Sequence, residues 1–510
     1  MTPLAGGFAG ALAVAVAVAV TVTIVASLTA CAAGPQFKTP EAPAARDYGA
    51  APAPGSTLAS ADGAEGAQHF VAGMDIPAEW WQLFRSAKLA GLVEDALKAN
   101  PNVAAAQAAL RQAHELASVQ WAAYLPTVQA SFSAQRARNA NATIANPTVS
   151  LDPVYSLYTP QVALSYSPDV FGATRRSVEA ARAQEHASRF QLEATYITLS
   201  SSVVVTAVQE ASLRGQIRAT ERLLQLQQQL TENVRQRREL GTASELDLLT
   251  QKSAQAQTAA TLPPLRKQLW QTRDALTALL GRLPSDEPKE TFDLGELTLP
   301  QQLPVSLPSE LVRQRPDVRQ AEENLHAATA EVGVAVAGLL PQFSISAQTG
   351  SAAFEFGRLF TPYTGFWSAG ASLSQTLFDG GALVHRRRAA DAALDAAAAQ
   401  YRSAVILACQ NVADTLRALQ ADADATKASL DADRAAGETL ETARRQYQLG
   451  TISFVAVLTA EQAYQQAELA LVQARASRYA DTAALFQALG GGWWNRPGEA
   501  LDEQSGPAVR

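Results

Sequence analysis

The sequence predicts a mainly α-helical protein with a small β part, laid down twice on one plan. Three observations predict it. The chain repeats itself at two fixed shifts, it carries proline-free helical runs of nearly seventy residues, and four short segments alternate apolar with polar residues. The 510 residues are 47% apolar and 17% charged, with a net charge of -7. That composition excludes a wholly disordered chain. The acidic balance, with no basic run longer than Arg386-Arg387-Arg388, argues against nucleic acid as a partner.

Residues 1–30 read as a secretory leader. They hold no charged side chain, and Ala9 to Ala26 is an unbroken apolar or small run with Thr21 and Thr23 the only hydroxyls. Leu28-Thr29-Ala30-Cys31 then resembles the bacterial lipobox, in which the cysteine thiol receives a diacylglyceryl group. The alternative is an uncleaved membrane helix with an incidental cysteine. Ala32 is not the aspartate that retains lipoproteins at the inner membrane, so the resemblance favours the outer one. Residues 31–75, rich in Ala, Pro and Gly, read as an extended lipidated tether. The other cysteine, Cys409, reads as a small buried residue.

The repeat follows. Pro101-Asn102-Val103 to Leu125-Pro126 matches Pro316-Asp317-Val318 to Leu340-Pro341 at a shift of 215. Gly172, Leu240-Gly241-Thr242 and Leu280-Gly281 match Gly381, Leu449-Gly450-Thr451 and Leu489-Gly490 at a shift of 209. The first copy, 76–282, holds a helix of about twenty residues, a strand pair at 127–138 and 157–169, and long helices at 173–239 and 244–280. The second, 311–490, holds the same helix, strands at 342–352 and 366–378, and helices at 382–448 and 453–489. A Pro-rich linker, 283–310, joins them, and 491–510 is a tail. At 1.5 Å per residue the longest helices reach roughly 100 Å, the length of a coiled coil or helical tube.

The strands decide between a soluble coiled coil and something else. Val128, Ala130, Phe132 and Ala134 alternate with Thr127, Gln129, Ser131 and Ser133; the other three segments do likewise. Their polar faces are uncharged Ser, Thr and Gln, and aromatics such as Phe354, Phe356, Phe360, Tyr363, Phe366 and Phe378 gather at the ends. Outer-membrane barrels have this pattern. Four strands cannot close a barrel, and an open edge in lipid leaves amides unsatisfied at several kcal/mol each. Several chains must therefore share one barrel: two give eight strands with a filled interior, three give twelve and a lumen.

These features together resemble the outer membrane efflux protein family, the TolC-like channels of the lipoprotein, NodT-type subgroup. The matching motifs are Trp80-Trp81 with Phe84, Arg315-Pro316-Asp317-Val318 with Ala321-Glu322, Gly333-Val334-Ala335, Gln375-Thr376-Leu377-Phe378-Asp379-Gly380-Gly381, Tyr447-Gln448-Leu449-Gly450 and Ala488-Leu489-Gly490-Gly491-Gly492-Trp493. The resemblance implies a homotrimer with a shared twelve-strand transmembrane barrel, a periplasmic α-barrel and an equatorial belt from 283–310 and the residues beyond 490. It implies a passive, gated conduit in the outer membrane that exports small molecules. A periplasmic adaptor and an inner-membrane pump, of the resistance–nodulation–division type, would be its partners. Polypeptide secretion and metal-ion efflux share the fold.

The resemblance places candidate gate residues at Asp247, Val455 and Thr459, and adaptor-docking turns at Leu240, Gly241, Thr242, Leu449, Gly450 and Thr451. Asp247 reads equally as a helix-start residue, and the glycines as simple turn formers. Ala456 and Thr459 stand where an acidic residue is expected, which points to a more apolar gate. No catalytic motif is present: no G-x-S-x-G, P-loop, H-E-x-x-H or dinucleotide fingerprint. Glu322 and Glu323 are adjacent on a helix and face different ways. The five histidines are scattered, and neither a metal nor a cofactor is implied beyond the lipid on Cys31.

Overall fold

The computed structural model describes residues 33–45, 47–49, 55–58, 66–138 and 154–496. The leader, Cys31 and the residues from 497 onward lie outside the described residues. Helices α1 (Ala87–Ala99), α2 (Pro101–Ala122), α3 (Ala173–Glu239) and α4 (Glu245–Leu279) come from the first copy. Helices α5 (Pro308–Gln314), α6 (Pro316–Ala337), α7 (Ala382–Gln448) and α8 (Phe454–Ala488) come from the second. The bounds of α2 and α6 differ by 215 at both ends, and those of α3 and α7, and of α4 and α8, by 209. Among the described residues no helix is long and apolar enough to cross a membrane.

All four long helices end in the same way. Gly241, Gly281, Gly450 and Gly490 sit at positive φ of 77°, 70°, 76° and 98°. At the first of them Gly241 N–H donates to Arg238 O at 2.9 Å and Thr242 N–H to Arg237 O at 2.8 Å. That is a Schellman cap, and only glycine adopts its left-handed residue without strain. At the other ends of α4 and α8 the copies are tied by matched contacts. A Cβ on Gly281 would stand 2.5 Å from Ala99 O, and one on Gly490 2.7 Å from Gln314 O. Asn100 Nδ2 donates to Leu279 O at 2.8 Å; Arg315, at the equivalent position, donates to Ala488 O at 3.0 Å. Two different side chains satisfy the same orphan carbonyl.

Of the described residues, one compact unit comprises 33–39, 111–138, 154–187 and 322–400. It holds an antiparallel sheet of β2 (Thr127–Arg138), β3 (Val154–Tyr166), β5 (Gln342–Ser351) and β6 (Gly365–Ser374), in the order β2-β3-β5-β6. Strand β3 begins three residues earlier than the alternation indicates, because Val154 pairs with Arg138, and it stops before Pro168. Strand β6 ends at Ser374 rather than 378. Ser374 pairs with Gln342, and the next partner would be Pro341, which has no N–H to give.

In the same unit the stretch after Cys31 is held rather than free. Ala33 N–H donates to Phe171 O at 3.1 Å, and a Cβ on Gly34 would stand 2.5 Å from Gly333 Cα. Phe37 stacks on the His326 ring at 4.3 Å. His326 Nε2 lies 3.0 Å from Glu179 and its Nδ1 3.5 Å from Glu323, which also faces His186 at 3.7 Å. The facing Glu323 carboxylate, then Glu179, raises the His326 pKa. Burial works against ionising Glu323, but the two histidine rings facing it, His186 and His326, outweigh it and pull its pKa to about 2.

Of the described residues, the second unit comprises 40–45, 47–49, 55–58, 66–110, 188–321 and 401–496. Here, too, part of the expected tether is built in. Strand β1 (His69–Ala72) pairs in parallel with β4 (Gln302–Val305) of the linker. The buried Arg478 anchors it, donating to Gln68 Oε1 at 3.2 Å and Gly66 O at 3.0 Å. Trp80 is fully buried, stacked on Phe486 at 5.3 Å. The linker is fastened by Arg273, which donates to Glu210 at 2.6 Å and Pro288 O at 2.6 Å. Composition does not reveal this, because the attachment uses backbone pairing and buried polar side chains rather than an apolar stripe.

Candidate functional site

The two expected docking turns lie together in the second unit. Val234 and Leu248 cluster with Phe454 and Leu458, so the ends of α3 and α7 and the starts of α4 and α8 share an apolar plug. Tyr447 packs on Phe454 at 5.4 Å and carries the Arg237 guanidinium over its ring, 4.8 Å from the centroid. Leu240 and Leu449 stand at the turns, 79% and 78% exposed. A groove of 440 Å³ beside them is lined by Leu226, Leu230, Arg237, Leu240, Arg444 and Tyr447.

Asp247 is occupied. It stands at the third position of α4, where its N–H donates to Ser244 Oγ at 3.0 Å. Its Oδ2 accepts from Ser244 N at 3.0 Å and from Ser244 Oγ at 2.8 Å. This is a capping box that satisfies the helix start. The corresponding Ser453 of α8 makes no side-chain cap, and Ala456 replaces the acid.

Val455 and Thr459 are exposed one turn apart, with Thr459 Oγ1 donating to Val455 O at 3.0 Å. The first copy repeats the arrangement: Thr250 Oγ1 donates to Leu246 O at 2.8 Å, and Leu246 is 72% exposed. Each threonine spends its hydroxyl on the backbone and leaves an aliphatic neighbour facing solvent. Sequence reading missed Leu246. The signal was available, since 246 and 455 are related by the same shift of 209.

The sheet is the other functional element. Its register aligns like with like across four strands. Val128, Leu164, Ala347 and Ala369 fall on one row of one face, and Ala130, Val162, Thr349 and Trp367 on another. The opposite face carries Gln129, Ala163, Gln348 and Ser368, then Thr127, Ser165, Ser346 and Gly370. Ser344 and Ser372 hydrogen-bond on that face at 2.7 Å. Val128, Phe132, Ile345, Trp367 and Leu373 are exposed on the apolar face, and among the described residues no second layer covers them. The outer sides of β2 and β6 pair with no strand among the described residues.

In the second unit burial first, then the neighbouring Asp481 of α8, pushes the pKa of Asp422 of α7 up to about 7. A raised carboxyl pKa contributes stability fully below the ordinary value near 4, and that stability is lost as pH rises through about 7. Asp422→Asn should therefore flatten the fall in Tm of the purified protein between about pH 5 and about pH 8. An unchanged fall would show that another group controls it.

The sequence matches the family of outer membrane efflux proteins over residues 92–282 and 307–491. It is 30% identical over 418 residues to the pyoverdine export outer membrane protein OpmQ of Pseudomonas putida, covering 81% of this chain and 88% of that one. The probable efflux pump outer membrane protein TtgC of the same organism is 29% identical over 482 residues, covering 94% and 96%. Among solved structures, that of the outer-membrane channel OprN superposes with a TM-score of 0.81 at 29% identity, covering 91% of this chain and 100% of the other. With the register of the sheet and the paired helix turns, this match establishes that the chain belongs to the outer membrane efflux protein family.

Proposed function

We propose that three copies of this chain close one twelve-strand barrel in the outer membrane and form a passive, gated export conduit. The observation that carries this is the open four-stranded sheet. It has an uncovered apolar face, an uncharged polar face and two unpaired edges. Amides in lipid need partners, so the edges must meet those of sister chains. Two copies would fill their own interior with side chains; three leave a polar lumen.

The helix-turn tips are the docking end. Leu240, Gly241 and Thr242 with Leu449, Gly450 and Thr451 would seat a periplasmic adaptor, which links the conduit to an inner-membrane pump of the resistance–nodulation–division type. Leu246 and Val455, backed by Thr250 and Thr459, would ring the narrow end as an apolar constriction, with Asp247 supporting the helix start. The relatives' names speak of pyoverdine export and of efflux pumps, and small organic molecules are the substrate class this supports. Energy comes from the pump, and the channel itself carries out no chemistry.

The test is ion conductance by the purified full-length protein in planar bilayers. Discrete, reproducible single-channel steps are expected; protein that reconstitutes without conductance would overturn the reading. Acylation at Cys31 is tested separately. Cys31→Ser should abolish labelling by a fatty-acid probe, and unchanged labelling would remove Cys31 from the site.

A further inference from the structure

Strand β2 outlasts the apolar band of the sheet. Its even-numbered residues share the apolar face with their partners Leu164, Val162, Pro160 and Tyr158. Two pairs continue that face: Arg136 opposite Ser156 and Arg138 opposite Val154. On the described strands these are the only charged side chains of the apolar face, and both are exposed. They lie at the end of β2 remote from α2, which on the barrel reading is the exterior leaflet.

Their height fits that leaflet's headgroups. From the Phe343–Leu373 row to the Ala134–Tyr158 row the apolar face runs about ten residues. At about 3.4 Å per residue and a tilt near 40° that is about 26 Å, matching the ~25 Å apolar band of outer-membrane barrels. Arg136 and Arg138 then fall about 5 and about 10 Å beyond it. Phe356 marks the boundary, edge-on to Phe132 at 6.3 Å and Tyr158 at 5.7 Å. Among the described residues no carboxylate pairs with either arginine, and Arg358 in the adjacent loop is already paired with Glu355 at 3.0 Å. A solvent-facing arginine pair would need no particular face. This pair is on the face that meets lipid, at the depth where a guanidinium costs little and phosphate is within reach.

We propose that Arg136 and Arg138 bind the phosphate groups of a phosphorylated outer-leaflet glycolipid, one site per chain around the barrel. The planar guanidinium suits phosphate bidentately, and the aromatic row beneath takes the acyl chains. The proposal rests on the barrel reading.

The experiment titrates full-length, detergent-solubilised protein with lipid A, read by native mass spectrometry. Lipid A should bind, and fully dephosphorylated lipid A should bind about tenfold more weakly. Arg136→Gln with Arg138→Gln should lose about the same factor for lipid A, and Arg136→Lys with Arg138→Lys a smaller one. Inorganic phosphate should not compete. Equal binding of the dephosphorylated lipid, or an unaffected glutamine variant, would overturn the site, and competition by inorganic phosphate would make it a free-anion site instead. Conductance separates the two failures. Wild-type protein that conducts without lipid preference retires this site alone, and wild-type protein that does not conduct retires the barrel with it.

Discussion

Arginine at Ala347 is expected to prevent channel assembly, and arginine at the next residue, Gln348, to leave it intact. The two residues are neighbours on β5 with opposite faces. Ala347 shares its row with Leu164 and Ala369 near the middle of the apolar band, and Gln348 shares its row with Ala163 and Ser368 on the polar face. A lipid-facing arginine at the midplane costs about 2–4 kcal/mol, and in a threefold assembly each chain would bear it. That is enough to deplete the assembled form, measured as the fraction of oligomer recovered from membranes. Gln348→Arg keeps its charge in water. It should assemble normally and shift the reversal potential toward anions. Equal tolerance of the two, or the reverse order, would mean that the faces are assigned wrongly.

Replacing Leu246 and Val455 together by serine should raise single-channel conductance about tenfold, a barrier lower by ~1.4 kcal/mol. Both are strongly exposed aliphatic residues at equivalent positions near the turns. In a threefold assembly they would supply six apolar side chains to one ring, and such a ring gates by excluding water. Asp247→Asn is the discriminating control. Its carboxylate is engaged with Ser244, so its loss should cost about 1 kcal/mol of helix stability and leave conductance nearly unchanged. Opening by Asp247→Asn alone, with no effect of the serine pair, would restore an acidic gate.

What could be read from the sequence and what could not divide along physical lines. Helix bounds were legible because glycine and proline act locally. Gly241 and Gly450 end their helices by a cap that needs no tertiary partner. The strand faces were legible because period two is a property of the backbone itself. The ends of β3 and β6 were not, because pairing set them: Arg138 extends one and Pro341 stops the other.

Contacts between distant segments were also hidden. The five histidines showed no on-helix spacing, yet His186 of α3 and His326 of α6 meet at Glu323. The stretch after Cys31 looked like a tether because Gly34, Phe37 and Gln68 carry no periodicity, and each is held by a partner more than two hundred residues away. At the tip, Asp247 offered two readings that sequence weighs equally, and the structure shows that it caps the start of α4 with Ser244. Leu246 stands beside the acidic Asp247, and only the repeat register relates it to Val455.

The central claim is that the open sheet of one chain is completed by its sisters. Native mass spectrometry of the conducting, membrane-extracted protein tests it most directly. Three chains per channel is the predicted mass. A single chain that conducts, with β2 and β6 closed on something within itself, would contradict the account.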